Sequence, residues 1–361
     1  MPKTRVLIVD DSVVIRRLLT DILTQDPELE VAGTAPNGKI ALSKLPQLNP
    51  DLVTLDIEMP EMDGLVTLPE LRKAYPKLPV IMFSTLTERG AVATLDALAR
   101  GATDYVTKPA NVGSVAAAMQ SVKEQLIPKI KSLCPPARAA APRPLNVATR
   151  PIVARPPGNR PPRRCDVVVI GSSTGGPMAL ATVIGRLPAG FPVPVVVVQH
   201  MPPVFTRHLA TRLNQDSPLD VTEAVGGEAL RPGQVLIAPG DFHLELVRRG
   251  TEVVTALHQG PPENSCRPAV DVLFRSAAGV FGAGCLAVVL TGMGQDGLRG
   301  GQHLTQAGGT LLAQDEASSV VWGMPRAVTE AGLASATPPL SAMADELIRR
   351  TALGRRLAVS A

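Results

Sequence analysis

At 361 residues the chain is long enough for two domains with a sizeable core each, and because 45% of residues are hydrophobic but only 2% aromatic, those cores must be aliphatic. Cys134, Cys165, Cys266 and Cys285 form no C-x-x-C pair, which argues against a zinc site or a disulfide framework. The net charge of +4 would suit a nucleic-acid partner, but residues 128–164 carry nine Lys or Arg and no acid, so the remainder sums to −5. The basicity belongs to one segment, better read as a solvated spacer with no nucleic acid bound.

At the N-terminus, MPKTRVLIVDD puts two aspartates directly after a four-residue apolar run, unlike a signal peptide, and no apolar run approaches the length of a membrane span. The expectation is a cytoplasmic protein without membrane insertion. Over residues 1–127, VLIVD, EVAGT, LVTLD, PVIMF and ATDYV are strand candidates, and segments from Ser12, Gly38, Leu65, Arg89 and Asn111 carry helical apolar spacing. Five such units predict an α/β domain, a five-stranded doubly wound parallel sheet with its functional groups at the carboxyl ends of the strands. Pro69 fits the third helix only if it falls in the first turn. Asp10 and Asp11 follow the first strand, Asp56 the third, Ser84 the fourth and Lys108 the fifth. Any one of the acids also fits a helix cap. As a converging set they repel one another, and Mg2+, which prefers oxygen ligands, together with Lys108 would compensate them.

The motifs VDDS, LDIEMPEMDG, MFST and YVTKP resemble a response-regulator receiver domain through residues 4–125. The resemblance implies that Asp56 accepts a phosphoryl group from a histidine kinase, with Mg2+ held by Asp10, Asp11, Asp56 and the backbone carbonyl of Glu58. Ser84, Tyr105 and Lys108 would then respond to the phosphate, which adds about −1.5 to −2 charge and strong acceptor oxygens.

Residues 128–163 form the domain boundary: ten prolines lie among Ala and Arg with little apolar periodicity, a composition that gives a semi-stiff spacer and no core. The second domain, residues 164–354, opens with CDVVVIGSSTGGP. Residues 166–170 read as a buried parallel strand broken by a tight turn, after which Gly175, Gly176 and Pro177 open a helix. From this stretch alone a nucleophile turn, a phosphate loop and a plain helix cap all remain open. PVVVVQ, QVLIAP, LELVRR with EVVTALH, and CLAVVLT are further strands, and helices are expected after Pro177, Phe205, Val270 and Gly297, giving a second, Rossmann-like parallel sheet.

All five histidines fall here. Only His200 directly follows a buried strand ending beside the GSSTGG turn; His208 lies within the next helix, His243 in a loop, His258 at the end of a hairpin and His303 in a helix leading away. In TGMGQDG, Asp296 is the only carboxylate; it is either a turn aspartate or the group that would fix the His200 tautomer. GSSTGG lacks the G-x-G-x-x-G spacing of a dinucleotide site, and a transcription-factor output would need a helix-turn-helix with a basic face.

GSSTGGP, VVQHMPPVFT, APGDFHL, RPAVDVLFRSAA, LTGMGQDG and AQDEASSVVWGMP resemble the catalytic domain of the chemotaxis-type protein-glutamate methylesterases over residues 165–350. The resemblance implies Ser173 as nucleophile, His200 as base, Asp296 as acid, the Met293 N–H as oxyanion donor, and Thr174, Gly175 and Gly176 lining the cleft. Ser172 stands where many members carry a small apolar residue. The activity implied is hydrolysis of glutamate methyl esters, and deamidation of glutamines, on the helices of chemoreceptors, by a cofactor-free hydrolase domain in a monomer. The unphosphorylated receiver is expected to cover the cleft. The alternative is a catalytically silent, phospho-switched binding module.

Overall fold

The computed structural model describes residues 3–109, 114–135 and 164–353; the expected spacer lies outside the described residues from 136 to 163. The first domain runs β1 (Thr4–Val9), α1 (Val13–Thr24), β2 (Leu29–Ala35), α2 (Gly38–Leu48), β3 (Leu52–Asp56), α3 (Gly64–Ala74), β4 (Val80–Ser84), α4 (Glu88–Ala99), β5 (Asp104–Thr107) and α5 (Val115–Leu133). Its sheet is parallel throughout, in the order β2-β1-β3-β4-β5. β3 and β4 are buried at every position, as strands covered by helices on both faces must be. Ser12, Asn37, Asp63, Thr87 and Ser114 each accept a first-turn N–H, so a polar residue after each strand starts its helix.

Two sequence expectations change here. Pro69 lies well inside α3, beyond the first turn, and the Leu65 carbonyl, deprived of its helical donor, receives Arg100 Nη1 at 3.4 Å. The boundary expected at residue 128 falls inside α5, which passes Pro128 and continues to Leu133, because Ile127 and Ile130 are buried against the receiver core. Two of the cations assigned to the spacer, Lys129 and Lys131, therefore belong to α5 and pair with Asp104 (2.8 Å) and Asp26 (2.9 Å).

The second domain runs β6 (Val167–Ser172), α6 (Gly176–Ile184), β7 (Val195–Gln199), α7 (Pro203–Asp216), β8 (Asp220–Glu223), β9 (Gln234–Ile237), β10 (His243–Arg249), β11 (Glu252–His258), α8 (Val270–Phe281), β12 (Cys285–Val289), α9 (Leu298–Gln306), β13 (Thr310–Ala313), α10 (Met324–Glu330) and α11 (Leu340–Ala352). Six strands form a parallel sheet, β13-β12-β6-β7-β9-β8, and β10 with β11 is a separate antiparallel hairpin. The chain leaves β6 toward β7 on one side and later returns to β12 on the other. That reversal opens a crevice at the carboxyl ends of β6, β7 and β12, where GSSTGG, His200 and the TGMGQDG turn all lie.

The two domains meet along α4 and α7. Tyr105 stacks on Phe205 with ring centroids 4.9 Å apart and planes 6° from parallel, and Arg212 Nη1 reaches Asp96 at 2.8 Å. Glu88 accepts from both Arg207 and His208. In a chain with six Phe, two Tyr and one Trp, two aromatic rings placed face to face at this seam mark it as a packed interface. Among the described residues no helix is long and apolar enough to cross a membrane.

Candidate active site

β6 runs two residues further than expected, to Ser172, and this separates the three hydroxyls of GSSTGG. Ser172 ends the strand fully buried, donating to Gln199 Oε1 at 2.7 Å. Thr174 is also buried, and its Oγ1 donates to Asp104 Oδ2 of the receiver at 2.8 Å. Ser173 alone is half-buried and lines the cleft. The turn depends on Gly175, whose φ of +75° suits glycine and where a Cβ would lie 2.7 Å from Val320. Thr174, Gly175 and Gly176 are buried beside Ser173, with Asp104 of the receiver, Val320 and Gln199 respectively against them.

β6 and β7 pair with Ser172 opposite Gln199, so the next residues, Ser173 and His200, come side by side, and the His200 N–H donates to Ser172 O at 3.1 Å. Gln199 Nε2 ties the two together, donating to the carbonyls of Ser173 (3.0 Å) and His200 (3.2 Å). His200 Nε2 lies 2.8 Å from Asp296 Oδ2, and its Nδ1 is 3.5 Å from Cys266 Sγ. Burial opposes a charge on His200, but Asp296 and Cys266 outweigh it and hold the imidazole pKa well above its ordinary value. Burial would raise Asp296, yet His200 and the N–H groups of Val270 and Asp271 hold its carboxyl below the usual range.

Met293 is half-buried in the turn after β12, and its N–H is given to no internal acceptor among the described residues. The Gly292 beside it approaches so closely that a Cβ would fall 2.8 Å from Ser173 Cβ. His243 departs from its expected loop: it is the first residue of β10, buried, bonded to the Pro261 carbonyl (3.0 Å) and the Ala269 N–H (3.2 Å), away from the cleft.

In the receiver, the carboxylates of Asp10, Asp11 and Asp56 bring oxygens within 4.8 Å of one another. Lys108 Nζ stands 3.3 Å from Asp10 Oδ2 and 2.8 Å from Asp56 Oδ2, yet neither buried oxygen has a well-directed hydrogen bond. Burial pushes Asp56 up to about 6, with Asp10 adding to the shift and Lys108 opposing it. Oxygen donors of this kind, converging and under-coordinated, fit a small divalent cation. Glu58 follows β3 and lines the same depression as Asp11. Ser84 is buried, donating to Gly90 O (3.1 Å) and receiving Thr94 Oγ1 (2.7 Å). Tyr105 is held under Phe205, a setting set by the second domain.

The cleft holding Ser173 and His200 has a volume of about 520 Å3, and one of its walls is the receiver: Tyr105, Thr107, Gln125 and Lys129 face Met201, Pro202 and Arg267. Asp104 was not singled out from the sequence, although an acid opening the buried strand DYVT was a signal. Asn264, Cys266 and Asp271 were missed as well; the one acid within PAVDVLF was the cue for the last.

The CheB methylesterase family matches residues 168–347, and the response regulator receiver domain matches residues 6–120. A protein-glutamate methylesterase/protein-glutamine glutaminase of Nocardioides is 56% identical over 98% of this chain and 97% of its own length; one of Trichodesmium erythraeum is 51% identical over 97% and 99%. The crystal structure of the Thermotoga maritima CheB methylesterase catalytic domain, 46% identical, superposes with a TM-score of 0.51 over 52% of this chain and 99% of that one. With relatives of this identity along nearly its whole length, and with both domains matched in order, the chain belongs to the CheB methylesterase family, its catalytic domain preceded by a response-regulator receiver.

Proposed function

We propose that the protein is a phosphorylation-activated protein-glutamate methylesterase and glutaminase of the cytoplasm, acting on chemoreceptor helices, with Ser173, His200 and Asp296 as its hydrolytic residues. The observation that carries this reading is the bond between His200 and Asp296 at the strand ends where Ser173 enters the cleft. Ser173 Oγ attacks the side-chain carbonyl of a glutamate methyl ester, and its proton passes to His200 Nδ1, the ring nitrogen not bonded to Asp296, which exchanges its contact with Cys266 Sγ for the serine hydroxyl. The Met293 N–H stabilises the oxyanion. Collapse expels methanol, which takes the proton back from His200; water then hydrolyses the acyl-enzyme by the same proton relay, leaving a glutamate. A glutamine in that place releases ammonia. A long side chain on a helix suits a cleft open at the surface.

Asp10, Asp11, Asp56 and the Glu58 carbonyl would hold Mg2+, which when bound neutralises the charge of an incoming phosphoryl group. Asp56 receives the phosphoryl group from a histidine kinase, and Lys108 and Ser84 answer its new charge. In the unphosphorylated chain the receiver walls the cleft, and phosphorylation shifts the population toward an open form.

The test is release of labelled methanol from membranes bearing methyl-labelled chemoreceptor, with and without a small phosphodonor. Release is expected, and to rise with phosphodonor; none in either condition rejects the enzyme. The pH dependence follows from the His200 shift. A base whose pKa is raised is protonated, and inactive, to higher pH, so the rate should climb through a midpoint above the ordinary imidazole value of about 6.5. Asp296→Asn removes the carboxylate that sustains the imidazolium and should lower that midpoint along with the rate. A flat profile from pH 5 to 8 rejects a histidine base.

A further inference from the structure

Behind the His200–Asp296 pair, two helices begin at each other's carboxylates. Asp296, from the turn that leads into α9, accepts at the start of α8: Val270 N–H at 2.7 Å on Oδ2 and Asp271 N–H at 2.9 Å on Oδ1. Asp271, from α8, accepts at the start of α9: Gly297 N–H at 3.0 Å and Gly300 N–H at 2.6 Å, both on Oδ1. One amide joins them. Asn264 Nδ2 donates to Asp271 Oδ2 at 2.9 Å and to Asp296 Oδ1 at 2.8 Å. Asn264 has a φ of +52°, which sets that side chain between the two acids.

We propose that Asp271 is a positioning residue for the hydrolytic reaction, holding Asp296 through this exchange and placing a second negative charge behind the His200 ring; the proposal rests on the triad reading above. Both Asp271 oxygens receive N–H donors, which is the bonding of an ionised carboxylate. The side chain is 1% exposed, and nothing in the hydrolytic steps uses it directly. A buried acid kept ionised beside another acid is unfavourable for folding on its own. Its return lies in what it fixes: Asp296 is bonded by His200, Asn264 and three backbone N–H groups, and these five donors hold its carboxylate toward the ring. The other charged groups near this pair are Arg275 of α8, itself paired with Glu263 at 2.9 Å, while His200 faces Cys266 and, across the cleft, Lys129 of α5 and the Arg267–Asp241 pair. Of these, Arg275 also senses the Asp271 charge.

The experiment uses the full chain with phosphodonor and two variants. Asp271→Asn keeps the volume and an acceptor for Gly297 and Gly300 but removes the charge and the oxygen that accepts from Asn264. Asn264→Gly tolerates the positive φ and removes only the shared donor. The readouts are kcat and KM for methanol release from methyl-labelled receptor membranes, and the His200 imidazole titration followed by NMR in the same protein. Asp271→Asn should lower kcat by about 10- to 100-fold at unchanged KM, and lower the His200 midpoint by about one pH unit. Asn264→Gly should lower kcat at unchanged KM without lowering the midpoint, since both carboxylates remain. An unchanged midpoint in Asp271→Asn, or an equal fall in both variants, overturns the proposal and leaves Asp271 a helix cap. If Asp271→Asn does not fold, full activity of Asn264→Gly overturns it. Failure of the triad reading is recognised separately: Ser173→Ala would keep releasing methanol, whereas the His200 titration reports on Asp271 whatever the nucleophile.

Discussion

Ser173→Ala should lower labelled methanol release by roughly 10^3- to 10^6-fold while leaving binding of the receptor intact, because nucleophile, base and acid act as one unit. The neighbouring hydroxyls supply the contrast. Ser172 lies wholly buried with its proton directed to Gln199, and Thr174 is turned to Asp104, so neither can approach a substrate carbonyl without leaving the structure that holds it. Ser172→Ala removes one buried hydrogen bond, a loss of about 1 kcal/mol. Gln199 still grips the carbonyls of Ser173 and His200, so turnover should fall by no more than about tenfold. Initial rates of the two variants decide the matter: a dead Ser172→Ala beside an active Ser173→Ala would overturn the assignment.

The second large effect is expected from a receiver residue. Asp104 Oδ2 accepts from Thr174 Oγ1, the residue next to Ser173, and pairs with Lys129 Nζ, each at 2.8 Å. Asp104→Ala leaves the Thr174 hydroxyl buried and unpaired in the closed arrangement, at a cost of about 1–3 kcal/mol that the open arrangement avoids. That difference corresponds to about 5- to 150-fold in accessible enzyme. The ion pairs of Glu88 and Asp96 with α7 are exposed and contribute less. Asp104→Ala should therefore raise basal methanol release without phosphodonor and blunt any further rise with it. Asp56→Ala should stay at the basal rate in both conditions. A basal rate unchanged in Asp104→Ala would show that receiver contact is not the restraint, and that recruitment to the receptor must carry the control.

Strand ends were legible because a buried parallel strand announces itself as an apolar run and the polar residue after it marks the turn. Asp10, Asp56, Ser84 and Lys108 were found that way, as was His200, and the structure brings Asp10, Asp56 and Lys108 together and His200 beside Ser173. The edge strands β8 and β13 escaped notice: each has four residues, and β8 exposes part of itself to solvent, so neither makes a run. α10 and α11 were also missed. The spacer was begun too early since Pro128 reads as a break, whereas the burial of Ile127 and Ile130 carries the helix across it. Contacts between distant segments left the weakest trace. Asp104 looks like any acid beside a strand, and only the docking of two domains brings it to Thr174 and sets Tyr105 against Phe205.

The central claim is that a serine-hydrolase cleft centred on Ser173 is uncovered when Asp56 is phosphorylated. Its most direct measurement is covalent trapping of the intact protein by a fluorophosphonate, with the modified residue located by peptide mass and the labelling rate followed with and without acetyl phosphate. The adduct is predicted on Ser173, forming about 5- to 150-fold faster with phosphodonor, and the acceleration should vanish in Asp56→Ala. An adduct on another residue, or the same rate in both conditions, would contradict the account.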